Sequence, residues 1–193
     1  MTRAQKQKAL DAIAAEIAVC KTCKQKKTGL PVPGEGSPDA DVVFLGEAPG
    51  KNEAATGRPF IGRAGKVLRS LIAEAGLKDE DVYITSPVKY LPKHVTPTPA
   101  EVAHGRKHLM EQLDVIEPKV IVLMGRVACL AMLQRDCQVA KEHGSLIEQD
   151  GRTYLIAYHP AAPLYNPKAM PLIKDDFKKL KKLIKSPTLA RKA

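Results

Sequence analysis

A histidine followed by a proline closes the last long apolar run of the sequence, TYLIAYHP, which predicts a strand over residues 153–159. At the carboxyl end of a strand, the imidazole of His159 could donate a hydrogen bond to an anion that forms in a neighbouring cleft. The alternative is an ordinary histidine at a strand end. His159 is therefore the first candidate for a residue with a chemical role.

The stretch GEAPGKNEAATGRPFIGRAG, residues 46–65, holds five glycines and two prolines directly after the apolar run DVVFL. It contains neither GxGxxG nor GxxxxGK[ST], the patterns that bind nucleotide phosphates, and the acidic Glu47 and Glu53 do not suit a triphosphate. Phe60 offers an aromatic face on the same edge. Together with His159 it indicates a flat, apolar slot for a planar heterocycle.

Two of the four cysteines, Cys20 and Cys23, form the motif CKTC. This spacing is half of a zinc or iron–sulfur site, or else a redox pair. Cys129 lies in the apolar stretch VACLAML and is interpreted as a core residue. Structural disulfides are not expected, because they are rare in cytosolic proteins.

The elements that position these residues alternate along the chain. Buried parallel strands are predicted at residues 41–46, 82–85, 120–125 and 153–159, and helices at residues 4–19, 63–75, 99–116, 126–134 and 168–185. We predict one α/β domain over residues 1–193, a three-layer α/β/α sandwich around a mostly parallel four-stranded sheet. The segments GEAPG, TSPVKYLP, MGR and HPAAPLYNP should surround the site, because ligands bind at the carboxyl ends of such strands.

The formal net charge of +10 favours a polyanionic partner, nucleic acid first and an anionic membrane second. About +7 of it lies in a basic helix and tail at residues 168–193, with nine Lys or Arg against two Asp. Only 4% of the residues are aromatic, which argues against a surface that stacks many bases. Without a signal-peptide pattern or a long apolar run, we expect a cytoplasmic, nucleoid-associated protein.

Five segments in order, GEAPGKNEAATGRPFIGRAGKVL, ITSPVKYLP, TPTPAE, VIVLMGRVA and YHPAAPLYNP, resemble family 4 of the uracil-DNA glycosylase superfamily. The resemblance runs from about Cys20 to Lys182. It implies a monofunctional DNA repair hydrolase that flips uracil out of DNA and cuts the bond between base and sugar, leaving an abasic site. The partner would be uracil-containing DNA, single- or double-stranded, and the protein a monomer.

The resemblance also implies roles for individual residues. His159 would donate to the oxyanion on the departing uracil, while Glu47 would orient water or stabilise the cationic sugar. Phe60 would stack on the base. Ser86 would read the base, where the family usually has an Asn that both accepts from and donates to uracil. The backbone along the edge of the base would belong to Ala48, Pro49 and Gly50.

The segment HPAAPLYNP would be the loop that enters the duplex, with Pro163 or Leu164 as the wedge that replaces the flipped base. Basic side chains near the site would neutralise phosphates and make binding strongly salt-dependent. The predicted phosphate contacts are Arg58, Arg63, Lys89 and Lys168.

Family 4 proteins carry a four-iron, four-sulfur cluster on four cysteines. Cys20 and Cys23 match the first two ligands, whereas Tyr90 and Gly105 stand where the other two belong. Two thiolates cannot hold such a cluster alone, so we expect no cofactor, with a cluster on unusual ligands or a zinc site as alternatives. The histidines that could complete a zinc site are His94, His104 and His108.

Three other functions remain open at this point. Ser86 offers fewer hydrogen bonds than Asn, which motivates a glycosylase for another deaminated base, hypoxanthine or xanthine. The second alternative is a protein that keeps the fold and binds the DNA lesion but no longer cleaves it. A nucleotide-binding α/β protein is the third, and the missing phosphate patterns disfavour it.

Overall fold

The structure is a computed structural model that describes residues 1–94 and 96–186, so part of the predicted basic tail lies outside the described residues. The helices are α1 Arg3–Val19, α2 Lys21–Lys24, α3 Lys51–Thr56, α4 Arg63–Glu74, α5 Pro99–Ile116, α6 Arg126–Leu133, α7 Val139–Glu142, α8 Ala162–Tyr165 and α9 Ala169–Ile184. The strands are β1 Lys27–Thr28, β2 Glu35–Gly36, β3 Val42–Leu45, β4 Tyr83–Thr85, β5 Leu91–Pro92, β6 Val120–Met124, β7 Leu146–Gln149 and β8 Arg152–Ala157.

Six strands form the main sheet in the order β2-β4-β3-β6-β8-β7. The inner strands β4, β3, β6 and β8 are parallel, and these are the four strands predicted from the apolar runs. Two antiparallel strands, β2 and β7, add the edges, so the predicted count of four was too low. Neither edge has an apolar run, since β2 is two residues long and β7 is only half-buried.

Alternate residues of the inner strands face opposite sides of the sheet, and each side has its own core. Along β6, Ile121 and Leu123 pack with α1, α5 and α6. Val120 and Val122 pack on the other side with α4 and α9, where Phe177 stacks on Phe44 at 5.6 Å between ring centroids. The predicted three-layer α/β/α sandwich is confirmed.

The long helices begin at polar caps that the sequence supplies. Thr98 accepts a hydrogen bond from the backbone of Glu101 and so caps α5, whose first residue is Pro99. Thr2 caps α1 in the same way, with Gln5 completing the pair of reciprocal bonds. Within the two described ranges, no helix has the length and apolar character needed to cross a membrane.

Candidate active site

A cleft of about 610 Å³ lies at the carboxyl ends of β3, β4 and β8. It is formed by the loop after β3, the segment that leads into α4, the end of β4, and the loop that follows β8. Its lining includes Ala48, Pro49, Gly50, Phe60, Arg63, Ser86, His159, Leu164 and Tyr165. The structure therefore brings together most of the residues that the sequence singles out.

His159 follows β8 and is half-buried in the cleft wall. The backbone N–H of Ala161 donates to His159 Nδ1 at 3.1 Å, so Nδ1 is unprotonated and Nε2 carries the proton. Burial lowers the pKa of His159 to about 4, which keeps the ring neutral at neutral pH. The site thus holds a neutral imidazole with one N–H left for a bound molecule.

Phe60 stands beside this imidazole, with 5.9 Å between ring centroids and 37° between ring planes. Its φ of 50° is left-handed, a conformation that costs energy for a bulky residue. Gly65 helps to make it possible, because a Cβ there would lie 1.8 Å from the Phe60 carbonyl oxygen. The first turn of α4 therefore packs directly against the Phe60 backbone.

Glu53, which the sequence analysis considered only as a poor phosphate neighbour, joins the two loops of the cleft. Its carboxylate accepts the backbone N–H groups of Gly50 at 3.1 Å, Ile61 at 2.9 Å and Gly62 at 2.8 Å. Gly50 belongs to the loop after β3, and the other two residues directly follow Phe60 in the segment that leads into α4. The bond to Gly50 has the spacing of a helix-capping glutamate, three residues after the N-cap, whereas nothing in the sequence indicates the bonds to Ile61 and Gly62.

Glu47 directly precedes Ala48 of the cleft wall and is half-buried. Among the residues that the structure describes, its carboxylate has no hydrogen-bond or ion-pair partner. Burial raises the pKa of Glu47 above its ordinary value. A desolvated, unpaired carboxylate beside a cleft is typical of a functional group.

Ser86 follows β4 and is only 5% exposed. Its hydroxyl donates to the backbone carbonyl of Val88 at 2.8 Å. Because a hydroxyl has a single proton, Ser86 Oγ can only accept hydrogen bonds from a molecule in the cleft.

Lys89 does not lie where a phosphate could reach it. Its side chain is 1% exposed, and Nζ donates to Pro33 O at 2.9 Å, Thr85 Oγ1 at 2.8 Å and Gln112 Oε1 at 2.7 Å. Burial lowers its pKa to about 7, while three acceptors match the three N–H groups of an ammonium. The prediction that Lys89 contacts DNA is therefore wrong, because the lysine links β4, α5 and the Pro33 loop internally.

The other basic residues predicted to contact DNA are exposed. Arg58 is held in a two-point ion pair with Glu35, at 2.8 and 2.7 Å. Arg63 lines the cleft. Neither Arg63 nor Lys168 has an ion-pair partner within residues 1–94 and 96–186.

The predicted wedge residues form the short helix α8, where Pro163 and Leu164 are half-buried. Leu164 lines the cleft together with Tyr165, which is 83% exposed. Tyr165 was not among the predicted wedge residues, although it is the aromatic residue of the segment HPAAPLYNP.

Helix α9 holds the loop that carries His159 through its residue Asp176. Asp176 is fully buried, and its carboxylate accepts the backbone N–H of Tyr158 at 3.1 Å and lies 2.7 Å from His143 Nδ1. The residue just before His159 is thus bonded to α9. An Asp in the Lys-rich sequence of α9 gave no hint of this role.

Cys20 and Cys23 meet two histidines of α5, His104 and His108, with their ligand atoms all within 4.8 Å of one another. This group of side chains could hold a metal ion. His94 is exposed and lies outside the group. Cys129 and Cys137 are buried in the core around α6, which confirms the core interpretation of Cys129.

The four-iron, four-sulfur cluster of family 4 does not fit these residues. Tyr90 is buried, and its hydroxyl lies 3.3 Å from Ile17 O and 3.2 Å from Ala18 O. At Gly105 even a Cβ would lie 2.0 Å from Pro87 O, so no cysteine side chain has room there. Only the two thiolates predicted from the sequence are present at this site.

Comparison with known proteins identifies the family of this chain and several of its relatives. The family model of the uracil DNA glycosylase superfamily matches residues 33–185. A type-4 uracil-DNA glycosylase of Archaeoglobus fulgidus is 41% identical over 192 residues, which cover 93% of this chain and 96% of that protein. The type-4 uracil-DNA glycosylase of Sulfurisphaera tokodaii is 38% identical over 193 residues, covering 92% and 86%. That of Saccharolobus solfataricus is 38% identical over 188 residues, covering 92% and 87%.

The chain belongs to the uracil DNA glycosylase superfamily.

Proposed function

We propose that this chain is a family 4 type uracil-DNA glycosylase that flips uracil out of DNA, hydrolyses its N-glycosidic bond and leaves an abasic site. The observation that carries the proposal is His159, a neutral imidazole whose Nδ1 is occupied by Ala161 and whose Nε2–H is left for the base. The similarity to type-4 enzymes over most of the chain supports uracil as the substrate.

In the reaction, the bond between uracil N1 and the sugar breaks, and its electron pair leaves with the base. His159 donates to the oxygen on which this negative charge develops, a contribution of about 3 kcal/mol for comparable donors. Glu47 stabilises the cationic sugar or orients the water whose oxygen attacks the sugar carbon; the proton that this water loses balances the one that the departed uracil anion takes up. Its raised pKa and missing partner support this role.

The base lies between Phe60 and the loop of Ala48, Pro49 and Gly50, with its edge towards Ser86. Uracil N3–H donates a hydrogen bond, which Ser86 Oγ accepts. Cytosine N3 has a lone pair instead, and two acceptors would face each other. The bond from Ser86 to Val88 thus supports uracil over cytosine even without the family's Asn.

The DNA strand crosses the mouth of the cleft. Arg63 and Lys168 neutralise phosphates. Arg58 contacts a phosphate only when its ion pair with Glu35 breaks. Leu164, Pro163 and the exposed Tyr165 fill the space that the flipped base leaves. We further propose that the protein meets its DNA as a monomer, in the cytoplasm at the nucleoid.

One observation favours a second candidate function, removal of hypoxanthine or xanthine. Both bases carry an N–H that the acceptor Ser86 Oγ could bind. A serine is also shorter than the asparagine of the family and leaves more room for a purine.

The test is incubation of the purified protein with oligonucleotides that carry one uracil, hypoxanthine, xanthine or mismatched thymine, followed by alkaline cleavage. We expect cleavage at uracil, and its loss in His159→Ala with DNA binding retained. Faster cleavage at a purine lesion would favour the second candidate. Binding of uracil DNA by the wild type without release of free base would contradict both and indicate a lesion-binding protein.

A further inference from the structure

The group of two cysteines and two histidines is not used by the proposed reaction. Cys20 caps the N-terminus of α2 and Cys23 lies within that helix, while His104 and His108 are one helical turn apart on α5. In sequence they read C-x2-C followed by H-x3-H, the ligand spacing of many structural zinc sites. Cys20 Sγ already lies 3.3 Å from His104 Nε2.

We propose that these four side chains bind a single Zn²⁺ ion in place of the family's iron–sulfur cluster. Around a tetrahedral zinc, with Zn–S near 2.3 Å and Zn–N near 2.0 Å, the ligand atoms lie roughly 3.3–3.8 Å apart. The four ligand atoms here are within 4.8 Å of one another, so small movements complete the site. A cubane of four irons spreads its ligands farther apart and requires thiolates that this chain lacks.

The surroundings of the group fit a metal centre as well. His108 Nδ1 lies 3.3 Å from the Glu111 carboxylate, which leaves Nε2 for the metal and fixes the ring. The backbone N–H of Cys23 donates to Cys20 Sγ at 3.4 Å. Two thiolates also balance the charge of the ion, so the site is neutral when filled.

Four protein ligands leave no open position, so the zinc is structural. It joins the end of α1 to α5, beside the segment from Ser86 to Tyr90. The Tyr90 hydroxyl, on the carbonyls of Ile17 and Ala18, makes the link that a third cysteine would make through a cluster. The site does not depend on which base the cleft accepts.

The experiment is metal and sulfide analysis of the full chain, purified anaerobically from cells supplied with both iron and zinc. Wild type is compared with Cys20→Ser and His104→Ala, whose side chains are half-buried, and with the exposed control His94→Ala. Cobalt titration of the metal-free wild type gives a second readout that needs no variant. Glu111→Gln tests the outer carboxylate.

We expect one zinc per chain in wild type and His94→Ala, and less than a tenth of that in Cys20→Ser and His104→Ala. Cobalt should give the intense visible bands of a tetrahedral site with sulfur ligands. Glu111→Gln should weaken zinc binding roughly 10–100-fold. Four irons with acid-labile sulfide, zinc retained in both ligand variants, or metal-free protein that takes up neither cobalt nor zinc would each overturn the proposal.

Discussion

At His159 one backbone N–H determines which ring nitrogen carries the proton. Since Ala161 donates to Nδ1 and burial holds the pKa near 4, the ring should stay neutral, with its proton on Nε2, down to about pH 5. Nitrogen NMR of labelled protein between pH 5 and 8 measures this directly. A ring that gains a proton near pH 6.5, or one protonated on Nδ1, would contradict the assignment.

The lowered pKa of His159 also makes the stability of the folded protein depend on pH. In the unfolded chain His159 titrates near its ordinary pKa of about 6.5, so the unfolded state binds a proton first as the pH falls. The folded state therefore loses stability between about pH 6.5 and pH 4, and His159→Gln should lose less. Urea unfolding of both proteins at pH 7 and pH 5 tests the expected difference.

Ser86 is the residue at which this chain departs from its family inside the cleft. Ser86→Ala removes the acceptor for uracil N3–H and should lower the ratio of uracil to cytosine cleavage about tenfold. Single-turnover rates on matched oligonucleotides give the ratio. Ser70→Ala, on the exposed side of α4, is the control, and an unchanged ratio in Ser86→Ala would mean that another group reads the base.

At the scale of elements, Glu53 holds the loop after β3 against the segment that leads into α4. Glu53→Gln keeps one acceptor oxygen but turns an NH2 donor towards at least one of the three backbone N–H groups, so it should lower stability by about 1–3 kcal/mol and slow uracil excision. Denaturant unfolding and single-turnover kinetics measure the two effects. Glu80→Gln, on the surface, should change neither, and a fully active, stable Glu53→Gln would show that the loops do not need this contact.

Substitutions of Lys89 and Arg63 distinguish a lysine that links elements inside the protein from an arginine that contacts DNA. Lys89→Met leaves buried acceptors without a donor and should cost about 1–3 kcal/mol of stability, with the salt dependence of DNA binding unchanged. Arg63→Ala should leave stability unchanged and reduce the slope of log affinity against log salt by about 1. DNA-binding titrations at several salt concentrations measure these slopes. A reduced slope in Lys89→Met would indicate that Lys89 contacts DNA.

Prediction from sequence succeeded for elements with a strong apolar signal and failed for those without one. The inner strands are buried on both faces and therefore appear as apolar runs. The hairpin of β7 and β8 turns at Asp150 and Gly151, both at positive φ, and this Asp-Gly signal was overlooked because β7 is largely exposed. The two-residue strands form only because they pair with a neighbouring strand, so their own sequences carry no recognisable pattern.

At the scale of the whole molecule, the strand-end rule located the cleft, since the carboxyl ends of parallel strands share one edge. The strand-end rule does not predict contacts between distant loops. Nothing in the sequence places Glu53 on two loops, Lys89 in the interior or Asp176 behind His159. Such contacts depend on tertiary packing, which residue spacing does not encode.

The central claim is that the cleft excises uracil with the help of the His159 N–H. The most direct test is the single-turnover rate constant for uracil release by wild type and His159→Ala, with enzyme in excess over a uracil oligonucleotide. We expect release by the wild type and a loss of about 10²–10³-fold in the variant, with DNA affinity within a few-fold. A variant as fast as the wild type would contradict this claim.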